Sequence, residues 1–569
     1  MKKIILVSLI LVAGYFIFNI SFTAHNSQIP SISLKPNVSL AASPLWYGSI
    51  IRIDGDNAIL DFRGLEVKHY FSCNIKTLTC SEIPEIPPRP SLPEGSQPSV
   101  KSLVRFPSRS MHQNISSKGR FGFYITTDTN RKYRTFVLVD GLKKKSYSIV
   151  EHLDFWNLLD EQPHISHFAP DDSTLTYLSD RSGYASLYIS SLSNPSQKSF
   201  QGTQITSGVS VSDFTYVNPQ TILYIANTEA DPYNWILYSY NIKTKTKAIL
   251  ADNLAHDSII HSIGDSIVFT KLSPLGTLPV VLTNYQNGEL KNFNIPIQAP
   301  AYTDSIDYTY NKLAGANTVE MKNKNLPAGK HPLIVWLHGG PYRQTSFIRH
   351  TYISYGVYDW VLEEAVDKGA YVLKVDYPGS YGAGRSFTEK IKDNVGIADV
   401  KSVIDTINAF KENHDVSGVY TIGNSYGGYL ALKSAEANQN IIDGVLSING
   451  VTDWSSLMIF YRNSIFNTFF SGLPSYYTRK YYNQASIFNY IKQFKNPIYI
   501  IQGEVDTTIP KKQAIVLKDL LDKANKSSNL ILIPGENHIF LKDSSINTIC
   551  KTLLEMTHLN ATNSCNLQG

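Results

Sequence analysis

The stretch Val419-Tyr-Thr-Ile-Gly-Asn-Ser-Tyr-Gly-Gly-Tyr-Leu430 runs from a short apolar segment through a glycine-flanked serine into an alanine-rich segment, Tyr429 to Ala437. This order predicts a strand, a sharp turn and a helix, with glycines where side chains would collide. Such a turn lifts the Ser425 hydroxyl clear of the backbone and aims the amide of Tyr426 at the same space. A G-x-S-x-G string is short enough to arise by chance, and a serine there can do no more than cap a helix. The rest of the chain must therefore supply a base, an acid and a second oxyanion donor.

The surrounding sequence supplies a sheet to carry them. After Pro300, buried-type strands at Leu333–Leu337, Tyr371–Val375, Val419–Ile422, Val445–Ile448, Ile498–Ile501 and Leu530–Ile533 alternate with helical segments. Those segments are Val357–Asp367, Gly396–Phe410, Lys511–Leu521 and Ser544–Glu555. In Gly396–Phe410 the apolar residues Ile397, Val400, Val403, Ile404, Ile407 and Phe410 line one face. Strand–helix alternation gives a doubly wound, mostly parallel sheet covered on both faces, with its chemistry at the carboxyl ends of the strands. Just past Ile498–Ile501 comes Asp506, and just past Leu530–Ile533 comes His538. The order Ser, Asp, His is that of α/β-hydrolases. A serine hydroxyl needs an imidazole to take its proton, and the imidazole needs a carboxylate to fix its tautomer. Asp453, after Val445–Ile448, is the alternative acid, while Glu504 and Glu536 read as solvated. His338 reads as packing of the loop it begins, and His350 and His414 lack a strand-end context. The loop His338-Gly-Gly-Pro341 follows the first strong strand, so the amide of Gly340 can join that of Tyr426 around an oxyanion.

The first half follows a different grammar. From about Trp46 to Val281 short alternating strands and turns recur, most clearly in Phe168 to Ile189 around Ser179-Asp-Arg-Ser-Gly183. Tyr124, Tyr177, Tyr224 and Phe269 recur at steps of 53, 47 and 45 residues, read as the first strands of their units. A further unit is expected over Ile51 to Phe71. A period of this length with several strands per unit suits propeller blades. About five blades are counted, or six if strands from the two ends close the ring; an irregular β-sandwich is the competing architecture. The fold expected is thus an α/β hydrolase over 301–569 preceded by an all-β propeller of about five or six blades over 45–300.

Composition narrows the class. With 569 residues, 43% hydrophobic and only 17% charged, the chain is globular and divides into more than one domain. A net charge of +5 is small for this length, and Lys143-Lys-Lys145 reads as a solvated turn, so no nucleic-acid partner is expected. Residues 1–26 place Lys2 and Lys3 before the apolar run Ile4 to Phe18, the layout of either a cleaved signal peptide or an uncleaved membrane anchor. The four cysteines fit an exported chain with local disulfides, Cys73 with Cys80 and Cys550 with Cys565 as the simplest connectivity. Their spacing is not that of a zinc site. The proline-dense Ile83 to Pro93 reads as an extended surface loop.

Taken together, Leu337-His-Gly-Gly-Pro341, Asp376-Tyr-Pro-Gly-Ser-Tyr-Gly-Ala-Gly-Arg385, Gly423-Asn-Ser-Tyr-Gly-Gly428, Gly503-Glu-Val-Asp506 and Gly535-Glu-Asn-His538 resemble the prolyl oligopeptidase family of serine peptidases, in its acylaminoacyl-peptidase-like branch. The resemblance covers Leu333 to Phe540 strongly and the propeller more weakly. It implies a propeller capping a hydrolase, an active site between them, short peptides as substrates and no metal or organic cofactor. Three features depart from the family. Asp376-Tyr-Pro-Gly-Ser380 lacks the arginine of Asn-Tyr-Arg-Gly-Ser, Asn424 precedes Ser425 where glycine is common, and fewer than seven blades are counted. The paired glutamates with which dipeptidyl-peptidases hold an amine are not apparent in the propeller; Glu363-Glu364 lies in a hydrolase helix and is expected to face water. The aromatic-rich insertion Val451 to Phe494, with Trp454, Phe460 and Tyr461, corresponds to a region that contributes to the family's substrate pocket. It suggests an apolar or aromatic preference on the acyl side of the cut bond. An esterase using the same triad, and an inactive propeller-based binding protein, are the competing functions.

Overall fold

The computed structural model describes residues 46–565, apart from 65–67, 88–102, 109, 129–132, 153–158, 160–161, 229, 274–275, 296–304, 462–464 and 563. The N-terminal segment 1–26 and residues 88–93 of the proline-dense loop lie outside the described residues.

Residues 46–292 form five four-stranded units, over 46–83, 111–152, 166–204, 211–254 and 261–292, among the described residues. Neighbouring strands within each unit are antiparallel. Tyr124, Tyr177, Tyr224 and Phe269 fall on the second strand of their units, one strand later than the spacing alone suggested. One hydrophobic cluster joins the second, third and fourth units, another the fourth and fifth, and another the fifth and first. A short parallel pairing, Trp46 with Gly276 and Tyr47 with Thr277, sets the first unit beside the last. That adjacency is what a propeller ring needs. Buried polar groups lock unit to unit: the Asp213 carboxylate accepts from the amide of Ile260 at 2.7 Å and pairs with His164 at 2.8 Å. Arg134, completely buried, reaches both Glu151 at 3.0 Å and Asp180 of the next unit at 2.6 Å.

The second domain is built on eight strands: β1 (Ile306–Leu313), β2 (Ala316–Asn323), β3 (His331–Leu337), β4 (Tyr371–Asp376), β5 (Val416–Asn424), β6 (Gly444–Ile448), β7 (Ile498–Gly503) and β8 (Ser528–Ile533). Their spatial order is β1-β2-β4-β3-β5-β6-β7-β8. β2 is antiparallel to β1 and β4, and every later pair is parallel. The hairpin β1–β2 is absent from the sequence reading, because β1 alternates Asp307, Thr309 and Asn311 with tyrosines and lacks a continuous apolar run. The flanking helices are α1 (Ile353–Asp367), α2 (Ala398–Lys411), α3 (Tyr426–Ala437), α4 (Trp454–Phe460), α5 (Lys512–Lys523) and α6 (Asp543–Met556). Their apolar stripes make two cores. Val403, Leu430 and Leu517 pack on one face of the sheet, and Leu362, Ile549 and Leu553 on the other.

The two domains meet along the segment Asp376 to Arg385. The Tyr381 ring stacks on Trp235 of the propeller with centroids 6.0 Å apart and planes 7° from parallel. Tyr233 donates to Asp376 at 3.0 Å, Asn227 to the carbonyl of Gly382 at 3.2 Å, and the amide of Arg385 to the carbonyl of Gly183 at 2.7 Å. Gly384, at φ 83°, leaves no room for a Cβ against the ring of Tyr184. On the far side Tyr47 enters the hydrolase core, its hydroxyl resting where a Cβ of Gly356 would stand.

Both disulfides form as expected. Cys73–Cys80 ties a cross-strand pair in the first unit, and Cys550–Cys565 fastens the C-terminal segment to α6. Closing a 15-residue separation restricts the unfolded chain by about 3 kcal/mol. Replacing Cys550 and Cys565 by serine is expected to lower the hydrolase domain's unfolding free energy by that order in urea titration. The Cys73→Ser, Cys80→Ser pair, closing a separation of 7, should cost less.

Candidate active site

The turn at Ser425 is held by contact on both sides. Ser425 has φ 59° and ψ −119°, a region that costs on the order of 1–3 kcal/mol for a residue with a side chain. Gly427 makes it possible: a Cβ there would stand 1.9 Å from the carbonyl oxygen of Leu337 on β3. A Cβ on Gly423 would meet Gly427 at 2.4 Å, and one on Gly428 would meet Gly450 at 2.9 Å. The Ser425 amide donates to the carbonyl of Ile448 at 2.9 Å. Asn424, the departure noted in the sequence, turns its amide inward to the Tyr358 hydroxyl at 3.1 Å. It supports α1 from within.

Asp506 and His538 meet at the ends of adjacent strands. The Nδ1 of His538 lies 2.8 Å from Oδ2 of Asp506, whose side chain is fully buried while the imidazole is partly exposed. The other donors to Asp506 are the amides of Thr508 at 2.7 Å and Ile509 at 2.8 Å, and the side chain of Gln502 at 3.1 Å. With only acceptors on the carboxylate, Nδ1 of His538 carries the proton and Nε2 is left with a free lone pair. Asp453 is occupied elsewhere, capping α4 through Ser456 at 2.9 Å and accepting from Ser486 at 3.1 Å. Glu536, expected to face water, is buried and takes the Ser545 hydroxyl at 2.6 Å at the start of α6. Glu363, also expected in water, is buried against Arg349 and accepts from Tyr308 at 3.0 Å, while Glu504 pairs with Lys511 at 3.2 Å.

The loop after β3 lies on the serine. A Cβ on Gly339 would approach the Cβ of Ser425 to 3.1 Å, and Gly340 follows at φ 99°. The amide of Tyr426 opens α3 and belongs to the set of helix N-terminal donors that lack an intrahelical acceptor. His338 is buried; its Nδ1 donates to the carbonyl of Gly339 and its Nε2 accepts from Ser380, both at 2.8 Å.

The aromatic insertion divides among several environments. Trp454 is completely buried, its ring packed on Tyr426, Tyr429 and Phe470, so it supports α3 from beneath and lines no open pocket. The side chain of Phe460 lies outside the described residues. The Tyr461 hydroxyl lies 2.6 Å from the carbonyls of Thr507 and Thr508, and burial, followed by the nearby Asp506, pushes it up to about 12. Tyr476 and Tyr477 are exposed. A small cleft does open between the domains, lined by Tyr184 and Ala185 of the propeller and by Tyr342, Tyr381 and Arg385 of the hydrolase. Tyr342 stands two residues beyond Gly340 in the chain, while Ser425, Asp506 and His538 are not among the lining residues. The sequence reading gives Gln502 and Asn537 no role of their own, although Asn537 organises the loops by accepting from Thr507 at 2.9 Å and from the amide of His538 at 2.8 Å.

Beneath Ser425, the Tyr426 hydroxyl donates to Asp399 at 2.7 Å. Both are fully buried, and burial raises the Asp399 carboxyl to about 6, with the tyrosine's hydrogen bond opposing it.

Residues 356–558 match the prolyl oligopeptidase family. The acylamino-acid-releasing enzyme of Mus musculus is 28% identical over 236 residues, covering 38% of this chain and 30% of that protein. The dipeptidyl aminopeptidase A of Saccharomyces cerevisiae is 22% identical over 326 residues, covering 54% and 32%. The chain thus spans about a third of the length of these curated relatives. Among solved structures, a puromycin-hydrolyzing peptidase of Mycobacterium tuberculosis superposes with TM-score 0.64 at 15% identity, covering 89% of this chain and 78% of its own. The dipeptidyl peptidase 4 of Porphyromonas gingivalis does so with TM-score 0.64 at 17% identity, covering 88% and 67%.

Because the folded Asp399 carboxyl is raised from 3.8 to about 6, the folded state holds a proton there that the unfolded chain releases. Stability from this group is complete below the unfolded value and is lost as pH rises through about 6. The loss is about 3 kcal/mol. Asp399→Asn should flatten that part of the curve, measured by urea unfolding at pH steps across this window. Separately, Gly427→Ala should abolish soluble folded protein or, where it folds, hydrolysis, since no side chain can yield to relieve a backbone collision.

Proposed function

We propose that this chain, which carries a prolyl oligopeptidase family domain over residues 356–558, is a serine peptidase that cleaves short peptides through a covalent acyl-enzyme. The observation that carries the reading is the coexistence of a strained, glycine-framed Ser425 with the Asp506–His538 pair at 2.8 Å on the same edge of the sheet. The peptidase names of its relatives support the same class.

The steps follow from the groups present. The Ser425 hydroxyl attacks the peptide carbonyl while Nε2 of His538 takes its proton, and Asp506 stabilises the imidazolium through Nδ1. The carbonyl oxygen, now negative, accepts from the amides of Gly340 and Tyr426. One well-aimed donor of this kind is worth about 3 kcal/mol in the transition state. His538 then protonates the departing amine, leaving an ester on Ser425. Water, deprotonated by the same imidazole, attacks that ester and restores the serine. The interdomain cleft beside Tyr342 is the route by which a peptide reaches the site, and its tyrosines favour an apolar or aromatic residue near the cut bond. Export completes the proposal: two disulfides suit an oxidising compartment, to which the basic-then-apolar segment at Lys2 to Phe18 would direct the chain, either cleaved or anchored in a membrane.

A fluorophosphonate probe is expected to label the wild type and not Ser425→Ala. Ser425→Ala and His538→Ala should lower kcat on peptide substrates about a million-fold with melting temperature preserved. An unlabelled wild type, or label retained by Ser425→Ala, would overturn the reading. Hydrolysis of oxygen esters without hydrolysis of the matched peptides would make the chain an esterase instead.

A further inference from the structure

Ser425, Asp506 and His538 sit on three different loops, and hydrolysis requires those loops in register. One buried residue touches the carriers of all three. Asn449 follows β6, is completely buried and has φ 47°, a left-handed conformation in which Asn is several-fold enriched. The carbonyl just before it, on Ile448, accepts the Ser425 amide at 2.9 Å, and its own amide donates to Ile501 on β7 at 2.9 Å. Its side-chain oxygen accepts from the amide of Gly503 at 2.8 Å, where the Asp506 loop begins. Its side-chain nitrogen donates to the carbonyl of His538 at 2.9 Å and lies 3.4 Å from that of Asn537. The amide orientation is fixed by chemistry, because a backbone N–H can only donate and backbone carbonyls can only accept.

The geometry points to Asn449 as the positioning residue that registers the acid–base pair against the nucleophile. This rests on the triad reading above. The Asp506 and His538 loops are joined to each other without it, through Thr507 to Asn537 at 2.9 Å and Val505 to Glu536 at 3.0 Å. A Cβ on Gly503 would also collide with Asn537 at 2.4 Å, so those two loops touch backbone to backbone. From the end of β6, where the Ile448 carbonyl holds the Ser425 amide, Asn449 carries side-chain bonds to both. Removing it frees the Asp506–His538 pair to shift as a unit relative to Ser425, with the pair itself intact. A misplacement near 1 Å costs on the order of a hundredfold in rate.

Asn449→Gly removes the amide and tolerates the backbone angle. It should reduce kcat and the rate of fluorophosphonate labelling about a hundredfold. KM should change by less than about threefold, and the apparent pKa of the basic group in the pH–rate profile should stay at its wild-type value. Asn449→Asp keeps the shape and the acceptor for Gly503 but sets an oxygen against the His538 and Asn537 carbonyls, and should lower the rate as well. If folded Asn449→Gly turns over and labels at the wild-type rate while Ser425→Ala is inactive, the positioning role is wrong. An active Ser425→Ala would instead bring down the triad on which it rests. Should the glycine variant fail to fold, Asn449→Asp decides by the same criterion, a wild-type kcat overturning the role.

Discussion

The arrangement depends on one backbone crossing. α3 passes over the end of β3 so closely that Gly427 abuts the Leu337 carbonyl, with space for a hydrogen and nothing larger. That closeness forces Ser425 into its strained conformation and also carries the Gly339–Gly340 loop onto the serine. Strain at Ser425 and proximity of the glycine loop are two consequences of a single packing distance. The strain is maintained by apolar cores on both faces of the sheet, which outweigh a local cost of on the order of 1–3 kcal/mol.

Two buried carboxylates near the serine show how surroundings assign roles to one chemical group. Asp506 gathers two backbone amides, Gln502 and His538 around its oxygens, so its lone pairs are directed and its geometry is set. Asp399 lies in the core beneath α3, where burial outweighs its hydrogen bonds and raises its carboxyl to about 6. The first is arranged to fix the His538 ring, as the proposed triad needs, and the second to anchor Tyr426, whose amide the proposal assigns to the oxyanion.

Much of this was legible in the residues. Six of the eight hydrolase strands carry the short, mostly apolar runs that a doubly covered sheet explains, and the strand-end rule then points to Asp506 and His538. The polar β1 offered no such run. Exposure of charged groups was misjudged at Glu363 and Glu536, because burial there depends on Arg349, Tyr308 and Ser545, partners remote in sequence or hidden behind a helix start. Trp454 illustrates the same limit: its type suggested a pocket, while its position under α3 made it core. Asn449 stands at a strand end and was open to the same rule as Asp506. It escaped because an amide announces no acid–base chemistry, and its importance lies in the direction of its hydrogen bonds.

The segment Asp376 to Arg385 joins the two domains to the chemistry. Its first residue accepts the Tyr233 hydroxyl from the propeller and, on its other oxygen, the amide of Thr345, while His338 lies 3.4 Å away. His338 in turn sets the Gly339 carbonyl and takes the Ser380 hydroxyl. Propeller docking and oxyanion-loop shape therefore share side chains, and a shift of one alters the other's hydrogen bonds. Arg385 brings a cation to this junction, its guanidinium donating to the carbonyl of His152 in the propeller at 3.0 Å. The stacking of Trp235 on Tyr381, which supplies attraction without charge, is a principal contact by which the propeller grips the loop beside the cleft.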